Sequence, residues 1–239
     1  MEPKTLSYCE YSIKEDNDPN LLKAYEEMLE VIKSGKTFSF PRYGDAELLL
    51  LNDRGLHHNC DGNAYDPKLK ELLKETIDKP HLSDDYWYSF AMNGRGFREY
   101  AHINWVDADL LSCANFHGKL KPFIELLNQN DSILVAPKYQ HDISVDFSAY
   151  FTIQDRNSFE ILDEIVFGVE KLIKNYKKPI ICMALGLSSE AIIYKLHSLV
   201  KGTCWLIDIG AIFDAYLETR IRRSYFKHMT EEIKSKNLK

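Results

Sequence analysis

Ile180-Ile181-Cys182-Met183-Ala184-Leu185 is an unbroken apolar run. It is followed by Gly186-Leu187-Ser188-Ser189-Glu190, by a helical stretch to about Val200, and by a second run, Cys204-Trp205-Leu206-Ile207-Asp208. A continuous apolar run bounded by turn residues marks a strand covered on both faces, whereas a half-exposed strand alternates. Strand, helix and strand in immediate succession form the repeating unit of a parallel sheet. The same pattern extends upstream. Ser132-Ile133-Leu134-Val135-Ala136 reads as a buried strand ended by Pro137, preceded by a helix over 119–128. A long helix over 158–175 follows, with Asn157 as its expected cap and Glu160 three places later. The expected fold class is α/β, Rossmann-like, with a mainly parallel sheet and helices on both faces.

Toward the N-terminus, Leu21, Leu22, Tyr25, Met28, Leu29 and Ile32 share one helical face over 20–34, with Asn17 or Asp18 as cap and Gly35 as stop. Thr37-Phe38-Ser39-Phe40 reads as a short strand that Pro41 discourages from extending. Leu48 to Leu51 suggests a buried helical turn, and Asp66-Pro67 opens a second amphipathic helix over 66–78. Residues 81–118 are rich in aromatic, glycine and polar residues, a composition that suggests a binding surface. The C-terminal stretch, about 212–236, reads as a charged helix that lies across the domain or mediates self-association as a homo-oligomer.

The 239 residues suit a single domain over 1–239. Apolar residues make up 45% and charged residues 28%, with a net charge of -6 that argues against an extended nucleic-acid footprint. No apolar run approaches the roughly 20 residues of a membrane span, and the first residues lack a secretory pattern, so a cytoplasmic location is expected. The five cysteines are scattered without a CxxC pair, and Cys182 and Cys204 read as reduced core thiols.

Ligands of open α/β sheets lie beyond the carboxyl ends of the strands. Three polar clusters fall at such positions. Arg42-Tyr43-Gly44-Asp45-Ala46-Glu47 follows the strand at 37–40. Gly44 permits a tight turn there, and an extended backbone would project Asp45 and Glu47 to one side. Such hard oxygen donors suit Mg²⁺ or Mn²⁺ completed by substrate phosphates, and Arg42 offers a planar donor fork. A surface turn with a helix-capping Asp is the plainer alternative. In the second cluster, Gly186 allows close backbone approach and Ser188 and Ser189 lie at a helix N-terminus, suited to an anion or simply to capping. The third, Asp208-Ile209-Gly210-Ala211-Ile212-Phe213-Asp214, closes a buried strand with an acid. Asp208 would meet a ribose or sugar hydroxyl, or cap the next helix. Asp214 would reach the metal, act as a general base, or cap.

Weaker candidates are Lys138, against phosphate charge; His57-His58 and His141-Asp142, read chiefly as solvated loops; a Cys113–His117 pair; and Tyr86, Trp87 and Trp105, divided between ligand stacking and core packing.

Together these clusters resemble the GT-D type glycosyltransferases, a bacterial family first catalogued as a domain of unknown function. The resemblance rests on Phe40-Pro41-Arg42-Tyr43-Gly44-Asp45-Ala46-Glu47, on Ala184-Leu185-Gly186-Leu187-Ser188-Ser189-Glu190-Ala191, and on Trp205 to Tyr216, in order and separation, over about residues 20–217. It implies a nucleoside-diphosphate sugar donor, often UDP-linked, and a divalent metal, Mn²⁺ or Mg²⁺, held by the DxE carboxylates Asp45 and Glu47. Beyond the resemblance, transfer to a hydroxyl of a glycan or glycoprotein acceptor is expected, with the aromatic region at about 81–118 on the acceptor side. Ala46 stands where the family usually has a second glycine, and Ala211 where it commonly has histidine, leaving that histidine's role unfilled. The middle region, 81–155, matches poorly, so acceptor identity does not carry over. A metal-dependent nucleotide-sugar phosphohydrolase and a non-catalytic nucleotide- or glycan-binding module are the alternatives.

Overall fold

The computed structural model describes residues 19–54, 59, 62–91, 96–97, 99–217 and 229–239. The expected caps Asn17 and Asp18, and the pair His57-His58, lie outside the described residues.

Five strands form one parallel sheet. They are β1 (Ser39–Phe40), β5 (Ser132–Pro137), β6 (Ala149–Ile153), β7 (Ile180–Met183) and β8 (Trp205–Asp208), in the spatial order β1-β8-β7-β5-β6. The register aligns their carboxyl ends: Val135 pairs with Met183, Met183 with Asp208, and Phe40 with Ile207. From β5 the chain moves outward to β6, then returns to place β7 on the other side, so strand order reverses between β5 and β7. That reversal opens a crevice at the carboxyl edge.

Alternate strand residues face opposite layers. Leu134, Ala136, Cys182 and Ile207 pack against α1 (Pro19–Lys33), α4 (Leu110–Phe116) and α5 (Lys121–Gln129). Ile133, Val135, Ile181, Met183 and Leu206 pack against α3 (Pro67–Asp78), α6 (Leu162–Ile173) and α7 (Ser189–Val200). Burying each such side chain contributes about 1.5–3 kcal/mol, which is why both faces must be covered. Edge strand β6 alternates instead, with Tyr150 and Thr152 outward. Asp66 caps α3 by accepting the Lys68 N–H at 2.7 Å, with Pro67 as its first residue. Cys182 and Cys204 are buried free thiols, as expected.

At Pro41 the chain leaves this sheet. Arg42–Tyr43 (β2) joins Ser89–Phe90 (β3) and Val106–Asp107 (β4) in a second parallel sheet of two-residue strands. Its filling takes up the core-packing alternative for part of the aromatic region. Tyr43 meets Phe97 at 5.2 Å and Trp105 at 5.5 Å, edge to face, and Trp105 meets Tyr88 at 5.6 Å. Trp87 stacks on Phe38 at 4.0 Å. These rings pack on one another because two-residue strands supply too little aliphatic surface to close a core.

Two helix boundaries also differ from expectation. Asn157 adopts a left-handed conformation and accepts the Ala64 N–H at 2.8 Å; a 3-10 turn (Ser158–Ile161) then precedes α6. The C-terminal stretch is not one helix. A turn and a 3-10 segment (Asp214–Tyr216) end in extended Leu217, and α8 runs Glu231–Leu238. Among the described residues no helix is long and apolar enough to cross a membrane.

At the amino edge, His197 on α7 is 5% exposed, and its Nδ1 hydrogen-bonds the Ser39 hydroxyl at 2.9 Å. Burial, with His81 nearby, pushes its imidazole from 6.5 down to about 4, against the opposing pull of Asp85. The fold therefore holds the ring neutral while the unfolded chain takes up a proton below pH 6.5. This group's contribution is complete above pH 6.5 and falls as pH drops toward 4, by roughly 2–3 kcal/mol. In His197→Asn, the urea midpoint should fall less than in wild type between pH 7 and pH 4.5. Parallel curves for the two proteins would exclude His197 as the titrating group.

Candidate functional site

Pro41 ends pairing with the main sheet, so Arg42 emerges at the carboxyl edge beside the end of β8. Gly44 then serves as N-cap of α2 (Asp45–Leu51), with ordinary extended torsions. The reason for a glycine there is space: a Cβ would lie 3.0 Å from Glu47 Oε2. Glu47 Oε2 accepts the Gly44 N–H at 2.6 Å, closing the first turn. The backbone through Asp45 and Glu47 is thus helical, not extended. Residues two apart on a helix are separated by about 200°, so the two carboxylates leave the backbone on different sides, yet Asp45 stays close enough to raise Glu47. Asp45 is exposed and Glu47 is buried.

Asp208 ends β8, 3% exposed, and does not cap an α-helix. Its carboxylate accepts the Gly210 N–H at 2.8 Å and the backbone N–H of Arg42, joining the end of β8 to the start of β2. Burial raises it to about 6 against the pull of the Arg42 guanidinium. Burial likewise raises Glu47 to about 7; its own and the Gly44 N–H oppose that, and Asp45 and Asp208 add to it.

Sequence reasoning gave Glu190 no role, yet it completes this group. It is 1% exposed in the first turn of α7, and its Oε2 has no hydrogen-bond partner among the described residues. Burial, and then Glu47 and Asp208, push its carboxyl well above the usual range, with Arg42 pulling it down. Nothing in Ser-Ser-Glu at a helix start distinguishes a buried acid from a surface one; only the arrival of β2 and α2 over α7 buries it.

The second cluster flanks the crevice. Gly186 has φ +59, and a Cβ there would meet Asn63 Nδ2 at 2.8 Å. Asn63 is itself held by the Asn157 N–H on its Oδ1 at 2.9 Å. Ser188 is buried and makes no side-chain cap bond, and the Ser189 hydroxyl accepts the Leu185 N–H at 3.3 Å. Lys138 stands exposed just beyond β5.

The structure therefore brings Arg42, Gly44, Asp45, Glu47 and Asp208 together, with Gly186, Ser188, Ser189 and Lys138 along the same edge. Asp214 lies in the turn beyond β8: it is buried, and its Oδ1 accepts Gln140 Nε2 at 3.1 Å. Cys113 is buried in the core, and the His141 ring lies 4.6 Å from that of Tyr150. Ala211 packs against Ala215 and Met229.

Crowded carboxyls with an unmatched buried oxygen are the donor chemistry of a hard divalent cation. Among the described residues, no three His, Cys, Asp or Glu side chains are grouped to hold one. Any cation here would complete its shell with substrate oxygens and water.

No protein-family model and no curated protein matches the chain. Two solved structures do. One is described as showing that the highly conserved domain of unknown function 1792 has a distinct glycosyltransferase fold. It is 19% identical, with 80% of this chain and 78% of that one covered at a TM-score of 0.55. The other is a selenomethionine-substituted structure of domain of unknown function 1792, 19% identical, with 82% of each chain covered at a TM-score of 0.57. The chain carries the α/β glycosyltransferase fold described for domain of unknown function 1792.

Proposed function

We propose that the protein is a glycosyltransferase that moves a sugar from a nucleoside-diphosphate donor, UDP-linked in the first instance, to a hydroxyl of a glycan or glycoprotein. The observation that carries this reading is the convergence of Arg42, Glu47, Asp208 and Glu190 at the carboxyl edge of a sheet with a glycosyltransferase fold. Asp45 and Glu47 would hold Mn²⁺ or Mg²⁺ against the diphosphate, where a bound cation stabilises charge on the leaving phosphate. Arg42 presents a fixed fork of N–H donors to the same oxygens, and Lys138 adds positive charge from beyond β5. The turn at Gly186, Ser188 and Ser189 borders the phosphates at the start of α7. Asp208 fixes the loop that carries Arg42. Asp214, oriented by Gln140, is assigned to accept the acceptor's proton.

The test is a thermal-unfolding screen of nucleoside-diphosphate sugars with and without Mn²⁺. One donor at a hundred times its Kd should add about 2.7 kcal/mol, or roughly 5–10 °C, and should do so only with metal. Incubation of that donor with and without glycan acceptors then separates transfer from hydrolysis. Unchanged melting across all donors with Mn²⁺ present would remove the reading.

A further inference from the structure

The guanidinium of Arg42 lies directly over Gly210. A Cβ on Gly210 would fall 1.7 Å from Arg42 Nη2 and 2.5 Å from Cζ, far inside any real contact. Gly210 also has φ +50, a conformation its neighbour Asp208 fixes by accepting the Gly210 N–H. The same carboxylate accepts the backbone N–H of Arg42, so one acid sets both the floor and the root of this side chain. Arg42 itself is half-buried. A long, flexible side chain is thus confined beneath by bare backbone and held at its root by a buried carboxylate, at the edge where a diphosphate would bind.

We infer that Gly210 and Asp208 are positioning residues: Gly210 by its missing side chain, and Asp208 by the carboxylate that fixes Gly210 and the root of Arg42, hold the Arg42 fork toward the phosphates of the donor. This rests on the reading of the site as diphosphate-binding. Preorganisation is where the effect arises. An arginine free to rotate loses side-chain entropy each time it engages a phosphate, whereas one already confined loses little. Neither Gly210 nor Asp208 needs to touch the ligand, so their influence must pass through Arg42. Any residue acting on the fold alone would not show that dependence.

The test is a set of double-mutant cycles read by calorimetric titration of uridine, guanosine, adenosine, cytidine and thymidine diphosphates in the presence of Mn²⁺. Arg42→Ala should weaken the preferred nucleotide by about tenfold or more. Gly210→Ala and Asp208→Asn should each weaken it several-fold, raising KM for the donor sugar with little change in kcat. In the Arg42→Ala background both should be silent, within about twofold. Melting temperatures report the separate cost of the positive φ at residue 210, which must appear in both backgrounds. Should Gly210→Ala fail to fold, the Asp208→Asn cycle decides alone, since that change keeps volume. Losses that add to that of Arg42→Ala would overturn the inference while leaving the diphosphate site intact. Wild-type protein that binds none of the five nucleotides would overturn both.

Discussion

Asp45→Asn should abolish the metal-stimulated part of sugar transfer, a loss on the order of 10²–10³-fold, while the fold survives nearly unchanged. The two halves of this expectation have separate physical origins. Asp45 is exposed at the first position of α2, so its structural contribution is limited to the helix dipole, about 0.3–1 kcal/mol. Asparagine keeps the shape and removes the charge that a divalent cation requires. Loss of a cation that stabilises a leaving phosphate is worth several kcal/mol of barrier, which gives the rate factor. Glu47→Gln provides the contrast. Glutamine retains an oxygen for the Gly44 N–H, and it removes a buried acid whose neighbours, Asp45 and Asp208, oppose its ionisation. That variant should be inactive yet at least as stable as wild type near pH 8, where the native acid must be charged. Initial rates across a Mn²⁺ titration, with melting curves alongside, measure both. An Asp45→Asn enzyme running at the wild-type rate in saturating Mn²⁺ would take Asp45 out of the metal site.

The parts of the fold that a sequence displays are those whose local pattern matches their environment. β5, β7 and β8 are covered on both faces and appear as continuous apolar runs, so the parallel sheet follows from 132–137, 180–183 and 205–208. α3 announces itself through Asp66 and Pro67. The second sheet has no such signature, because strands of two residues carry no period, and their aromatic neighbours resemble a binding surface until Tyr43, Phe97 and Trp105 are seen to fill a core. The candidate site divides the same way. Arg42, Asp45, Glu47 and Asp208 stand at strand ends and are visible as motifs. The role of Glu190, the space under Arg42 at Gly210 and the closure of Gly186 by Asn63 arise only from elements far apart in the chain. The backbone at Asp45 and Glu47 is ambiguous in the sequence for a local reason. Gly-Asp-x-Glu suits an extended metal loop and a helix start equally, and the Glu47 bond to the Gly44 N–H decides for the helix.

Asn237→Ala should lower the melting temperature by roughly 5–15 °C, more than any other single change in the C-terminal segment. The segment gives little hint of this. Glu231 to Leu238 carries no apolar stripe, and its ion pairs, Lys234–Glu231 and Lys236–Glu232, lie on the surface, where such pairs contribute about 0–1 kcal/mol. Asn237 instead is fully buried. Its Oδ1 accepts the Leu120 N–H at 2.8 Å, an amide left over at the entrance to α5. Its Nδ2 faces three acceptors, Asn115 O, Asn115 Oδ1 and Tyr216 Oη, at 2.8, 2.9 and 2.8 Å. Asn115 in turn donates to Ile212 O at 2.7 Å, so the knot ties α8 and α4 to the turn that carries Gly210. Removing the amide strands several buried polar atoms at once, and the cost of leaving them unmatched, about 2–4 kcal/mol, exceeds the worth of any one bond. For a chain of this length that converts to the stated shift. Because Asp208 and the strand β8 hold Gly210 independently, nucleotide affinity at 25 °C should change far less than stability. Lys236→Ala on the exposed side of the same helix is the control. If the two variants melt together, α8 is held by something other than its asparagine, and the polar knot is incidental to the fold.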